Sequence, residues 1–198
     1  MDKIIFATSN EGKMKEVRLI LKNLKTEVLS MKEAGIKIDI IEDGKSFEEN
    51  AIIKAKAVSA YTKAIVLADD SGLEVDYLGK QPGIYSARFM GEDTSYSVKN
   101  QAIIEKLKDA KGEERSARFV CVIAAVLPDG EVITTRGTIE GMIGYQEEGE
   151  GGFGYDPILY LPEYKTTTAG LPIEIKNKIS HRGKALRLMA EELQKRMA

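Results

Sequence analysis

Residues 64–73 read AIVLADDSGL, an apolar run that stops at two adjacent carboxylates, Asp69 and Asp70. An unpaired carboxylate is costly to desolvate, so a buried strand has no structural use for two in succession. The pair predicts that the strand ends here, in a turn at Ser71 and Gly72, with something positive at its mouth. Successive strand side chains point to opposite faces, so the two acids would divide the work, one facing a ligand and the other bracing the turn. A carboxylate at a strand end suits Mg²⁺, which takes one or two carboxylates along with water and phosphate oxygens. The acidic string IIEDG offers a second carboxylate in Glu42 or Asp43. Taken alone, a DD pair is more often two turn-capping side chains.

Three other strings carry chemistry. In TSNEGK, Thr8, Ser9 and Asn10 bring capping side chains, the start of a helix brings free backbone N–H groups, and Lys13 brings a full charge, a set that suits phosphate. A capped helix with a solvated lysine is the simpler reading of that string alone. The glycines make no Walker loop. GGFGYDP sets flexible glycines around Phe153 and Tyr155 and ends in Asp156-Pro157, so a planar ligand could approach the backbone and lie against Phe153. KNKISHRGKA holds the one histidine, His181, beside Arg182, with Lys176 and Lys178 upstream. If Ser180 caps the last helix, these cations sit at its positive end, against the dipole, unless an anion or carbonyl oxygen answers them. Such a local conflict is typical of a functional site.

The elements that must position these groups alternate. KIIFA predicts a short buried strand, and Val17, Ile20, Leu21 and Leu24 recur at helical spacing after it. TEVLSM predicts a second strand. GKSFEENAIIKAKAVSAYTK predicts a helix capped by Ser46, with Glu49 three residues on and a small-residue stripe of Ala51, Ala55 and Val58. AIVLA is the central strand. YLGKQPGIYSARFMGEDTS predicts a surface loop region, and SVKNQAIIEKLKDA a third helix. The long β-rich runs either side of Pro128-Asp129-Gly130 predict an antiparallel hairpin. EEGEGGFGYDPILYL ends in a short strand, and a last helix from about Gly183 shows Leu186, Met189, Ala190, Leu193 and Met197 on one face. The fold class is α/β with a mixed sheet, and no linker or composition shift marks a domain boundary within residues 1–198.

Composition narrows the partners. With 43% hydrophobic and 30% charged residues the chain is an ordinary globular one, and its formal net charge of −2 provides no cationic field for a nucleic-acid polymer. Cys121 is the single cysteine, in an apolar string, so no internal disulfide forms. No apolar segment approaches the length of a membrane span, and MDKIIFATSN is no signal peptide, which together predict a cytoplasmic protein.

In their order along the chain, SNEGKMKE (Ser9, Asn10, Lys13, Glu16), SFEENAIIKA, ADDSGLEV, PGIYSAR, GGFGYDP and ISHRGKA closely resemble the motifs of the Ham1-like (inosine triphosphate pyrophosphatase-like) family, from about residue 4 to residue 190. The resemblance implies an elongated mixed sheet with flanking helices forming two lobes of one domain around a central cleft. It also implies a homodimer and Mg²⁺-dependent hydrolysis of ITP, dITP or XTP to the monophosphate and pyrophosphate. Carried over by residue, Thr8, Ser9, Asn10, Glu11, Gly12 and Lys13 would lie along the phosphates, with Lys54 beside them. Glu42 and Asp70 would hold the metal, Asp70 would also be the catalytic base, and Ser71 would lie close by. Phe153, Gly154, Tyr155, Asp156, Lys176, His181 and Arg182 would surround base and sugar. That leaves Asp69 as a turn brace or outer-sphere support. The resemblance has one departure, in TAGLP, a segment in which many members of the family carry a Glu and this chain has Gly170. Two rivals stand beside this reading. A Maf-like pyrophosphatase would open on an S-x-S-P-R-R-like string, absent here. A nonenzymatic nucleotide sensor would not need Asp70 and a second acid near a lysine-lined loop.

Overall fold

In the computed structural model, which describes residues 3–24 and 26–197, the predicted strands and helices alternate much as the periodicity requires. Strand β1 (Lys3–Phe6) leads to helix α1 (Glu11–Leu21), β2 (Glu27–Ser30), α2 (Phe47–Ser59) and the long β3 (Ile65–Val75). After α3 (Tyr96–Lys106), β4 (Ser116–Val126) and β5 (Val132–Ile143) meet at a tight turn, where Leu127 N–H donates to Glu131 O at 2.9 Å. Short strands β6 (Leu159–Leu161) and β7 (Thr166–Thr167) precede α4 (Ile173–Ile179) and α5 (His181–Met197). All seven strands form one sheet in the order β2-β1-β3-β4-β5-β6-β7. β1 runs parallel to β2 and β3, whereas β6 is antiparallel to both β5 and β7, so the sheet is mixed.

The chain divides into two units: residues 1–70, 121–137 and 181–198, and residues 71–120 and 138–180. Strands β3, β4 and β5 each begin in one unit and end in the other, so no linker exists for composition to reveal. In the first unit Ile4 and Phe6 of β1, Ile65 and Leu67 of β3 and Cys121 and Ile123 of β4 meet Met14, Val17 and Leu21 of α1. Leu186, Met189 and Leu193 of α5 complete that core, so the apolar stripe of the last helix lies where its spacing puts it. The Met197 side chain falls outside the described residues. The second unit has its own core, built on Leu73, Val75, Ile103, Leu107, Phe119 and Ile158. Among the described residues no helix is long and apolar enough to cross a membrane.

Two expectations change. β3 does not end at the acids but runs on through Asp69, Asp70, Ser71 and Gly72 to Val75, so there is no turn for Asp69 to brace. The last helix begins at His181, two residues early, and the KNK string lies in a separate helix, α4, whose apolar pattern is too short to register as a period. Ser180 closes α4, its N–H donating to Lys176 O at 2.8 Å, with extended backbone leading into α5.

The start of α5 lies flush on β5. A Cβ on Gly137 would fall 2.3 Å from His181 O and 2.7 Å from Ala185 N, and Thr135 Oγ1 donates to Ala185 O at 2.8 Å. Gly137→Ala must therefore push α5 off the sheet. Urea denaturation should show about 1–3 kcal/mol of lost stability, the usual cost of overpacking.

Candidate active site

Strand period sorts the two acids into different surroundings. Ile65, Leu67 and Asp69 share one face of β3, the face covered by α1 and α5, and Asp70 takes the other, toward α2. Asp69 is 1% exposed and meets Lys13 through both oxygens, at 3.0 and 2.9 Å, and Arg182 Nη2 at 3.5 Å. Arg182, itself buried in the first turn of α5, also donates from Nη1 to the buried Glu16 of α1. Burial acts to raise the Asp69 carboxyl, but Lys13 and Arg182 outweigh it and hold the group well below the usual carboxylate range. Arg182, one of the cations expected to conflict with the α5 dipole, is thus answered from inside the protein by Glu16 and Asp69.

Asp70 lives differently. Asn50 Nδ2 donates to its Oδ2 at 3.2 Å, and Lys54 Nζ lies 3.4 Å from its Oδ1. The same ammonium donates to Glu42 Oε2 at 2.8 Å, whereas Asp43 is exposed. Between the open alternatives in IIEDG, the carboxylate beside Lys54 is therefore Glu42. Burial raises the Asp70 carboxyl above its ordinary value; Lys54 and Asn50 pull it down, Glu42 and Asp69 push it further up, and the net direction is upward. Burial would lower Lys54, but Asp69, Asp70 and Glu42 together raise it. Asn50 is the residue that sequence reasoning did not assign. It is fully buried, receives Gly44 N–H on its Oδ1 at 2.9 Å, and so points its amide at Asp70 in a fixed orientation. Its only sequence signal was its place in the string SFEENAIIKA.

At the other end of this cluster, Asn10 caps α1, its Oδ1 accepting Lys13 N–H at 3.1 Å, and Thr8 Oγ1 accepts Asn10 N–H at 3.1 Å. The capped-helix reading of TSNEGK holds for the backbone and fails for Lys13, whose ammonium is spent on Asp69 rather than on solvent. Ser9, Asn10 and Glu11 are exposed, and Gly12 is half-buried. A cavity of about 470 Å³ opens here, lined by Thr8, Ser9, Lys13, Glu42, Lys54 and Asp69 among others. Helix-start N–H groups, hydroxyls and lysines around one hollow are groups able to receive an anion.

The second unit holds a separate constellation. Asp156 Oδ2 accepts from Phe153 N–H and Lys176 Nζ, both at 2.8 Å, and Thr168 Oγ1 donates to Oδ1 at 2.8 Å. The loop is drawn so tightly that a Cβ on Gly152 would lie 2.2 Å from Asp156 Oδ2, and that residue's φ of +73° is open only to glycine at little cost. Phe153 stays 38% exposed with the Lys176 ammonium 5.1 Å from its ring centroid, a flat surface backed by a cation. Tyr155 turns inward, its hydroxyl donating to Ser86 O at 2.7 Å, so any ligand contact it makes comes from its backbone. Ser71 is half-buried at the start of this unit and His181 is buried at the start of α5. In TAGLP, a Cβ on Gly170 would fall 2.0 Å from Thr166 Oγ1, so a threonine hydroxyl takes the room a side chain would need.

Residues 4–192 match the Ham1 family. The chain is 48% identical over 199 residues to the dITP/XTP pyrophosphatase of Clostridium perfringens, covering 98% of both. It is 48% identical over 191 residues to the enzyme of that name from Desulforamulus reducens, covering 96% of this chain and 95% of the other. Among solved structures, the Ham1 protein of Staphylococcus aureus superposes with a TM-score of 0.88 at 40% identity, covering 98% of this chain and 100% of that one. A HAM1 protein of Coxiella burnetii gives 0.89 at 38% identity with the same coverage. With its cluster of Lys13, Asp69, Asp70, Lys54 and Glu42 set in a fold shared over nearly its whole length, the chain belongs to the Ham1 family.

Proposed function

We propose that this protein hydrolyses deaminated purine nucleoside triphosphates (ITP, dITP and XTP) to the monophosphate and pyrophosphate. The observation that carries the reading is Asp70, a buried carboxylate aimed by Asn50 and sharing the Lys54 ammonium with Glu42. Relatives named dITP/XTP pyrophosphatases support the substrate class.

Asp70 acts as the general base. A water held at its carboxylate attacks the α-phosphorus, its proton passes to Asp70, and the bond from that phosphorus to the pyrophosphate oxygen breaks. A carboxyl raised by burial accepts that proton more readily than a solvated one. Lys54 faces the developing charge, and Lys13 with the helix-start N–H groups receives the phosphates. Among the described residues no group of three or more acids, histidines or cysteines gathers as a metal cage. Two carboxylates around a single cation are nevertheless the donor set with which Mg²⁺ is commonly held beside substrate phosphates. Glu42 and Asp70 would hold it, and when bound it neutralises charge on the phosphates and lowers the pKa of water.

Phe153, Gly154, Tyr155, Asp156, Lys176, His181 and Arg182 recognise base and sugar in this reading. Hypoxanthine and xanthine present a 6-oxo acceptor, and adenine presents an amino donor, which would face a donor in the desolvated pocket. That mismatch costs roughly 10⁴ in kcat/KM. Guanine keeps the 6-oxo group and differs at its 2-amino position, so its rejection should be weaker. The family resemblance further supports a cytoplasmic homodimer. Pyrophosphate release from ITP, XTP, GTP and ATP with Mg²⁺ tests the reading. Fast release from ITP and XTP, little from GTP and least from ATP, is expected; equal turnover of all four would overturn the base selectivity, and none from ITP the reaction.

A further inference from the structure

Resting on that reading, the cavity beside the site raises a question of charge. Its wall is completed by residues 31–40, which contribute Lys32, Lys37 and Asp39. Lys13 is committed to Asp69, and Lys54 to Glu42 and Asp70. Two ammonium groups thus face three carboxylates there, so the deep end has no positive charge to spare before a substrate arrives. A nucleoside triphosphate brings about four negative charges, and one Mg²⁺ offsets two of them, so further cations are needed where its outer phosphates lie. Lys32 and Lys37 are the lysines of this wall that have no carboxylate partner among the described residues, and Asp39 cancels at most one of them.

Their mounting suits the task. Lys32 stands on a turn pinned by its neighbour Glu33, whose Oε2 accepts from Ser30 N–H at 2.7 Å, Ser30 Oγ at 2.8 Å and Arg18 Nη2. Ile36 N–H donates to Met31 O at 2.9 Å and Ile36 is buried, which fixes the chain immediately before Lys37. The ammonium groups are exposed, but the backbone that carries them is held, so little ordering is lost on binding. Lys54 and Glu42 line this cavity together with residues 31–40, so an α-phosphate beside Lys54 leaves the β- and γ-phosphates room to extend along that wall. We propose that Lys32 and Lys37 form the pyrophosphate subsite, binding the β- and γ-phosphates of the substrate and the pyrophosphate that leaves.

Calorimetric binding of tripolyphosphate, and of pyrophosphate, in Mg²⁺ tests this without turnover. The doubly substituted Lys32→Ala/Lys37→Ala protein should bind both roughly ten- to a hundredfold more weakly than wild type. Lys32→Arg/Lys37→Arg should bind them nearly as wild type does. In assays with ITP the alanine variant should show a raised KM with kcat largely kept, and inhibition by IMP, which lacks the outer phosphates, should be unchanged. Tripolyphosphate affinity within about twofold of wild type, a wild type that binds no tripolyphosphate, or an equal loss of IMP inhibition would each overturn the subsite. A wild type that binds tripolyphosphate through these lysines yet releases nothing from ITP would overturn the proposed reaction and leave the subsite standing.

Discussion

Asp70→Asn is expected to lower kcat for pyrophosphate release from ITP by at least about 10³-fold while ITP binding changes only several-fold. Asn keeps the shape and the hydrogen bond to the Asn50 amide, and it loses the capacity to take a proton. The same substitution should raise Tm of the metal-free protein. The sign follows from the direction of the Asp70 shift. A carboxyl whose folded pKa is raised, by burial first and then by Glu42 and Asp69 against the pull of Lys54 and Asn50, is most compatible with folding below its unfolded pKa. That compatibility is lost as pH rises through the raised value, so at pH 7 the ionised group is a net cost that the amide removes. Added Mg²⁺ should close the gap by stabilising wild type more than the variant. Turnover within tenfold of wild type would remove Asp70 from the role of base. A fall in Tm would mean that the Lys54 contact outweighs burial. Activity bought with a destabilised buried carboxylate is a common trade in enzymes.

Much of this site was legible in the sequence because strand and helix periods are local. The period of β3 alone requires Asp69 and Asp70 to face apart, and the helical spacing of α1 places Lys13 and Glu16 on one side. The Ser46 cap was legible for the same reason, its Oγ accepting Glu49 N–H at 3.1 Å. What misled was the inference that carboxylates end a strand. β3 continues because its acids find cations from elements remote in sequence, Lys13 from α1 and Arg182 from α5, and no local rule anticipates those partners. Asn50 stayed silent for a related reason. A buried amide earns its role through Gly44 and Asp70, and neither contact leaves a periodic trace. Helix α4, seven residues long, is shorter than two full helical turns and gives periodicity nothing to count.

Asp69→Asn should be the most destabilising polar substitution in the first unit, costing about 3–5 kcal/mol and lowering Tm by roughly 10 °C. The isosteric amide takes from Lys13 and the buried Arg182 the carboxylate they share, and a buried cation deprived of a partner keeps its desolvation cost. The pH dependence separates this from a packing defect. Asp69 is held below its usual range by Lys13 and Arg182 despite burial, so its contribution is fully present above the unfolded pKa and is lost as pH falls through the lowered one. Wild type and variant should therefore differ by a constant amount at neutral pH and converge only as pH falls below about 4, the ordinary Asp range. A difference that persists unchanged into strong acid would assign the loss to packing. Pairing Asp69→Asn with Lys13→Met should recover part of the stability, since the second change removes a charge the first left unanswered, and simple additivity would show the two groups to be uncoupled. Coupling of the expected sign would make Asp69 the counter-charge that holds Lys13 beside the phosphate cavity, and the DD pair two acids with separate tasks, one anchoring cations and the other moving a proton.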